Sequence, residues 1–383
     1  MSDVVIVSAA RTPLGRRGGW LREVHPVRLG AVALQAALAR AGLEPAQADH
    51  VLMGCVGQIG EQTFNLARNV VLDAGLPIET AATTLDFQCG SSQQAVHVAA
   101  GMIVSGQAEI VVAGGVESMT RVPMGASLAG GAPFTDKIMD EYHMIPQGLA
   151  SDEIAHKWHI TREEIDRIGY QSHLKAAAAQ AEGAFAAEIA PLEGLDEAGQ
   201  PLLVDRDQGV RPNVSLEKMA TLQPAFNADG VTTAGNSSQI SDGAAALVLM
   251  SAEKAAALGL RPRARLVSMV TVGSDPHLML TGPLGATRKA LQRAGLTAAQ
   301  IDLFEVNEAF ATVIAMWERE IGADMTRVNV HGGAVALGHP LGASGARLMT
   351  TLLHALERRG LRYGLQTMCC GGGMGTGTII ERL

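Results

Sequence analysis

The sequence predicts an α/β protein built as two similar helix-covered mixed-sheet units with an inserted loop domain. Three observations predict it. Short β-branched runs alternate with alanine-rich amphipathic runs over the first 120 residues, the texture changes between about 119 and 233, and the α/β rhythm then returns. Composition agrees: 47% of residues are apolar, only 3% are aromatic and 44 are glycine, which suits an aliphatic core with tight helix–sheet packing. At 383 residues the chain is long enough for two domains.

The elements follow in order. Val4 to Ser8 is a nearly unbroken β-branched run and reads as the first strand, followed by a helix over Val27 to Ala41. Val51 to Val56, Thr83 to Phe87 and Glu109 to Ala113 read as strands, with a helix over Gln93 to Val104. That alternation predicts a mostly parallel sheet here. From Met119 to Thr233 charge and proline rise and aliphatic runs thin out; Thr161-Arg162-Glu163-Glu164 starts a long alanine-rich helix through Ala179. Strands resume at Ala244 to Met250, Arg265 to Val272, Leu303 to Val306, Val328 to Val330 and Thr376 to Ile380. The expected division is an N-terminal unit over 1–118, completed by about 234–255, a loop domain over 119–233, and a C-terminal unit over 256–383.

Several classes drop out. A net charge of −8 argues against a nucleic-acid or anionic-membrane surface, though a local basic patch still admits an anionic small ligand. No uninterrupted apolar run is long enough for a membrane span. The N-terminus reads as a strand, not a targeting peptide, and Glu381-Arg382-Leu383 is not a peroxisomal address. Four cysteines without framework spacing fit a reducing compartment, so a cytoplasmic protein is expected.

Two of those cysteines feed into glycine. Cys89 lies in Gln88-Cys89-Gly90-Ser91-Ser92, between a strand and a helix start, where the helix N-terminus is expected to lower a thiol pKa. Cys369 opens a cysteine–glycine turn, Cys369-Cys370-Gly371-Gly372-Gly373, whose N–H groups can approach a reacting carbonyl. Cys55, in an apolar run, reads as core, and Cys370 as a packing neighbour. The second unit adds Asn307-Glu308-Ala309-Phe310 at a strand–helix junction, and His331-Gly332-Gly333 followed by Gly338-His339-Pro340, a shaped loop before a helix. Asn307 and Glu308 also fit a plain role as cap and first-turn acid of the following helix, and His97 reads as packing. Two reactive thiols without a disulfide pattern point to acyl transfer.

Together these motifs resemble the thiolases over essentially the whole chain. Arg11-Thr12-Pro13, Gly114-Gly115-Val116-Glu117-Ser118-Met119, Ala234-Gly235-Asn236-Ser237-Ser238, Asp242-Gly243-Ala244-Ala245, Asn-Glu-Ala-Phe, Gly-His-Pro and the terminal glycine turn occur in family order. The resemblance implies a thiolase-like fold and reversible acyl transfer between CoA and acetyl-CoA, with acyl-CoA, acetyl-CoA and CoA as partners and no added cofactor or metal. It implies Cys89 as nucleophile, His339 as its proton acceptor, and Cys369 as the acid/base at the α-carbon. Asn307 would hold a water that, with His339, forms one oxyanion hole; the N–H groups of Cys89 and Gly371 would form the other. Arg211 and Ser238 would contact CoA, while Met279 and Phe310 would line the acyl and pantetheine pocket. The family also implies a homodimer or homotetramer.

Some positions depart from the commonest pattern. Ser92-Gln93-Gln94 follows the nucleophile motif, Ile145-Pro146-Gln147-Gly148 stands where His-Met-Gly is frequent in short-chain members, and Gln223 replaces a basic residue. These departures favour a 3-ketoacyl-CoA thiolase over a short-chain acetoacetyl-CoA enzyme. Rival readings are a decarboxylating condensing enzyme, which Cys369 opposes, and a non-catalytic acyl-CoA- or lipid-binding relative, which the intact Cys89, Asn307, His339 and Cys369 oppose.

Overall fold

A computed structural model describes residues 3–383. Among these, the strands are β1 (Val4–Arg11), β2 (Gly15–Arg16), β3 (His50–Gly54), β4 (Ala81–Leu85), β5 (Ile110–Ser118), β6 (Leu192–Leu195), β7 (Pro201–Val204), β8 (Ser241–Ser251), β9 (Ala264–Gly273), β10 (Leu303–Val306), β11 (Tyr363–Cys370) and β12 (Met374–Arg382). The helices in the two units are α1 (Pro26–Ala41), α2 (Leu66–Asp73), α3 (Ser91–Ser105), α8 (Ala252–Ala257), α9 (Gly282–Ala294), α10 (Ala311–Ile321), α11 (Ala334–Leu337) and α12 (Ser344–Arg359). Between them the inserted segment carries α4 (Asp136–Tyr142), α5 (Gln147–Lys157), α6 (Arg162–Ala181) and α7 (Leu216–Ala220), with the hairpin β6–β7. The Thr161 side chain caps α6 by accepting the Glu164 N–H, as its sequence pattern predicts.

The main sheet runs β10-β11-β12-β9-β1-β8-β5-β3-β4, with β2 beside β8. It is mixed, so the mostly parallel arrangement expected in the first unit is corrected. β3 is parallel to β4 and β5, but β8 returns from beyond the insertion and runs antiparallel to both β1 and β5. The second unit repeats this order: β10 is parallel to β11, and β12 is antiparallel to β11 and β9. Val328 to Val330, expected as a strand, contributes only isolated bridges, one of them parallel to Phe304 of β10 in the place that β4 takes in the first unit. The two halves join at a short β1–β9 contact, Val5 opposite Arg265 and Ile6 opposite Ala264.

Side-chain alternation makes five layers. On β1 and β5, Val5, Val7, Ile110 and Val112 face a core shared with α1 and α2, while Val4, Ile6, Val111 and Ala113 face a central core with α3 and α12. A third core packs α9 and α10 on the outer face of the second half. Strands buried on both faces need continuous apolar runs, which is why the sequence shows runs rather than alternation. Between the halves, α3 and α12 meet with almost nothing between their backbones. A Cβ on Gly345 would strike the Gln93 backbone, and Ser92 Oγ accepts the Ala346 N–H at 2.8 Å. No described helix is long and apolar enough to cross a membrane.

The insertion is tied to the sheet by a buried charge cluster. Arg11, at the end of β1, makes a two-pronged contact with Asp207 at 2.7 and 2.9 Å and donates to Glu188 at 2.6 Å. Burial opposes its charge, but the two carboxylates outweigh that and hold the guanidinium protonated. Arg11→Met leaves both carboxylates buried without a cation, and is expected to cost about 3–5 kcal/mol of stability in urea unfolding. Arg28→Met removes an exposed partner of Asp73 and is expected to change stability by no more than about 0.5 kcal/mol.

Candidate active site

Cys89 is set by a turn that the sequence forces. After β4, the Gln88 N–H donates to Asp86 Oδ1 at 2.6 Å, the Phe87 N–H donates to Ser91 Oγ at 2.8 Å, and Gln88 adopts φ 49°. This left-handed residue turns the chain so that Cys89 precedes α3, with Gly90 as its N-cap. A Cβ on Gly90 would lie 2.7 Å from Cys370 Sγ and 2.8 Å from Thr376 Cγ2, so glycine lets the C-terminal hairpin close onto this turn. The backbone N–H groups of Cys89 itself and of Gly371 lie near Cys89 Sγ and favour its thiolate form. The resemblance pairs these two donors, and the fold places Gly371 near Cys89.

The thiol itself departs from expectation. Cys89 is 3% exposed, and burial pushes its pKa up to about 12 despite the two N–H donors. The helix-start argument predicted the reverse; desolvation, which is not a local property of sequence, wins. Cys369 and Cys370 are likewise not in a turn. They end β11, a strand that the motif reading overlooked, and the turn is Gly371 to Gly373, with φ near 80° at Gly372 and Gly373. Strand alternation sends the two thiols to opposite faces. Cys369 faces an apolar cluster with Leu278, Met279 and Phe310, whereas Cys370 packs beneath Gly90. Burial raises both thiol pKa values, and the nearby Cys89 adds to each.

His339 and Asn307 form the other wall. The His339 N–H donates to Gln239 O and Ser241 Oγ, fixing the loop. Ser344 Oγ donates its single proton to Pro340 O at 2.8 Å and lies 2.6 Å from His339 Nδ1, so it accepts from Nδ1–H. That assigns the lone pair to Nε2, where the Asn307 amide donates at 3.3 Å. Leu341, two residues past His339, packs with Cys89. Asn307 Oδ1 is buried and has no partner among the described residues. Burial, then the Arg347 charge, lowers the His339 pKa to about 3, so the imidazole is neutral.

Two acids that seemed ordinary hold these loops. Helix α10 starts at Ala311 with Phe310 as N-cap, so Asn307 and Glu308 are not its cap and first-turn acid. Glu308 instead accepts from Ser172 on α6, Asn329 and the Val335 N–H, joining the insertion to the loop before His339. Glu117, at the end of β5, accepts the N–H groups of Val56, Gly57 and Gly342 and the Gln62 amide. The sequence contained both within motifs but gave no sign of these distant partners. His97 lies within hydrogen-bond distance of Thr378 on β12, at 2.7 Å, and of Gln94, so it bridges the two halves.

The expected binding residues divide into two groups. Met279 and Phe310 are buried in the same cluster as Cys369. The Ser238 N–H donates to Ala309 O, next to Phe310. Arg211 is exposed and lies apart, lining a cavity of 440 Å³ on the insertion with His173, Ser215, Lys218 and Met219.

Comparison with known proteins covers the whole chain. Residues 4–253 match the family model described as thiolase, N-terminal domain, and residues 260–382 the model described as thiolase, C-terminal domain. A steroid 3-ketoacyl-CoA thiolase of Mycobacterium tuberculosis is 48% identical, with 100% of this chain and 95% of that protein aligned. An acetyl-CoA acetyltransferase of Chromobacterium violaceum is 44% identical, covering 99% and 100%. A 3-ketoacyl-CoA thiolase of Escherichia fergusonii is 44% identical over 100% of both chains. Among solved structures, a Bacillus anthracis acetyl-CoA acetyltransferase superposes with a TM-score of 0.92 at 39% identity, covering 100% and 99%.

A neutral His339 and a Cys89 pKa raised by burial mean that Cys89 rests as a thiol. Its alkylation by iodoacetamide is expected to rise about tenfold per pH unit from pH 6 to 9, because thiolate is the reacting form. A rate that levels off below pH 6 would reveal a resting thiolate–imidazolium pair instead.

Proposed function

This chain belongs to the thiolase family and is an acyltransferase acting on acyl-CoA and CoA, and we propose that it cleaves 3-ketoacyl-CoA substrates longer than acetoacetyl-CoA through an acyl group carried on Cys89. The observation that carries this reading is the placing of the Cys89 and Gly371 N–H groups near Cys89 Sγ with Cys369 close by, together with a His339–Asn307 pair held by its own hydrogen bond.

In the proposed cycle, Cys89 Sγ attacks the ketone carbon of the substrate as its proton passes to His339 Nε2. The alkoxide forms against the two N–H groups, which lie near Cys89 Sγ in the resting site. The bond between the ketone carbon and the α-carbon then breaks, and the acetyl-CoA enolate takes a proton from Cys369. His339 and a water held by Asn307 Oδ1 stabilise the enolate before that protonation. CoA next gives its thiol proton to Cys369 and attacks the acyl-Cys89 thioester; Cys89 leaves as a thiolate, takes its proton back from His339, and acyl-CoA is released. Run backwards, the same steps condense acyl-CoA with acetyl-CoA. No cofactor beyond CoA thioesters enters the cycle. Arg211 and Ser238 are proposed to contact CoA, and the exposed Arg211 suits an anionic phosphate.

Chain length is read from the apolar wall. Met144 and Ile145, just before α5, pack onto the cluster of Leu278, Met279, Phe310 and Cys369, and Phe226 meets Phe310 edge-on at 6.0 Å. This surface supports an acyl chain of several carbons. A homo-oligomer is also proposed: β4 lies at the sheet edge, and Phe64 and Ile78 near it are 87% and 73% exposed. Four free, buried cysteines suit a reducing cytoplasm.

CoA-dependent loss of enolate absorbance across a 3-ketoacyl-CoA series tests the reading. Highest kcat/KM is expected at six carbons or more. A maximum at acetoacetyl-CoA would make this a short-chain enzyme, and no cleavage at any length in folded protein would favour a non-catalytic acyl-CoA-binding role.

A further inference from the structure

Two carboxamides stand beside Gly371, and one of them has no hydrogen-bond partner among the described residues. The side-chain direction of Gly371, whose N–H lies near Cys89 Sγ, points at Gln88 Oε1 and Gln147 Nε2. A Cβ built there would lie 3.0 Å from the first and 3.2 Å from the second. Gln147 opens α5, where Pro146 is the N-cap and no side chain caps the helix. Its carboxamide makes no hydrogen bond with any described residue, and no bond joins it to Gln88.

Gln88 is oriented by a neighbour. Its Nε2 donates to the two Asp86 carboxylate oxygens at 3.2 and 3.4 Å. A carboxylate only accepts, so this bond fixes which end of the amide is nitrogen. Oε1 is therefore the free end, and it presents an acceptor toward Gly371. Beside it, Gln147 presents an unengaged amide that can donate. An acceptor and a donor side by side match a group that both gives and takes a hydrogen bond.

We propose that Gln88 and Gln147 form a recognition pair selecting acyl chains that carry a hydroxyl close to the transferred carbonyl. The hydroxyl donates to Gln88 Oε1 and accepts from the Gln147 amide. A ketone leaves Gln88 Oε1 unpaired, and a carboxylate is repelled by Asp86. A plain alkyl chain dehydrates both carboxamides without replacing their bonds, which penalises it relative to a hydroxylated one. This deepens the thiolase reading and rests on the Cys89 acyl carrier. The apolar wall of Met144, Ile145 and Met279 accommodates the remainder of the chain.

The test compares acylation of Cys89 by 3-hydroxybutyryl-CoA and butyryl-CoA, followed as CoA release and intact protein mass. The wild type is expected to favour the hydroxylated donor by about tenfold, the equivalent of one added hydrogen bond. Gln147→Leu is expected to reduce that ratio to about one, mainly by speeding butyryl transfer. Gln88→Asn keeps a residue type that tolerates positive φ and withdraws the carboxamide by one methylene; it is expected to lower the ratio in the same way. A wild-type ratio of one or less, or a ratio that neither variant moves, overturns the proposal while leaving the acyl-carrier reading intact. An equal rise in KM for both donors in Gln147→Leu also overturns it, assigning the carboxamide to the CoA arm. Absence of any acyl adduct on Cys89 overturns the acyl carrier and this proposal together.

Discussion

The site exists because two helices from different halves touch without side chains between them. Gly345 of α12 rests on the backbone at Gln93 of α3, and Ser92 Oγ takes the Ala346 N–H. The same bareness continues around this contact: Gly54 lies against the Ser91–Ser92 backbone, and a Cβ on Gly342 would come within 2.6 Å of Cys55 Cα. Cys89 precedes one helix, and the His339–Ser344 bond sits at the start of the other. Any added Cβ separates them, and a shift of about 1 Å in such a constellation costs on the order of a hundredfold in rate. Glu117 completes the clamp by gathering N–H groups from the Cys55 loop and from Gly342.

Burial on this scale settles the electrostatics. Both thiols are raised and His339 is lowered, so the resting site is neutral. What such a site offers a reaction is oriented dipoles rather than a stored charge pair. Charge does lie beneath. Arg347, one helical turn beyond Ser344, is fully buried, its three guanidinium nitrogens have no described hydrogen-bond partner, and its Nη1 is 3.9 Å from Glu305 Oε2. Burial pushes Glu305 up to about 8 against the pull of Arg347. Glu305 lies on β10, two residues before Asn307, and the Arg347 charge beside it contributes to keeping His339 uncharged.

The fold class and the candidate site were legible in sequence for different reasons. Strands such as Leu303 to Val306 announce themselves because two-sided burial demands apolar runs. β11 escaped notice because Gly364, Gln366 and Thr367 interrupt its run, and because the cysteine–glycine motif drew attention to the turn beyond it. Cys89 and His339 stood out by their glycine-flanked settings, and the resemblance added Gly371 and Asn307; the fold joins Asn307 to His339 and places Gly371 near Cys89. Their protonation states were not legible, since desolvation depends on everything packed around them. Gln93 stood out only as a departure; in the fold its amide bonds Thr376, Thr378 and Gln366 across the two halves. No local signal in the sequence announces a partner 283 positions away.

In the proposed reaction two thiols share one site with separate tasks, acyl carriage at Cys89 and proton transfer at carbon by Cys369. The most direct test is deuterium uptake into the methyl group of acetyl-CoA in D2O, read by NMR alongside the mass of acyl-Cys89. Wild-type enzyme is predicted to acylate and to exchange, whereas Cys369→Ala is predicted to acylate Cys89 yet leave the methyl protons unexchanged. Exchange at the wild-type rate in Cys369→Ala would contradict the division of labour and assign the carbon acid to another base.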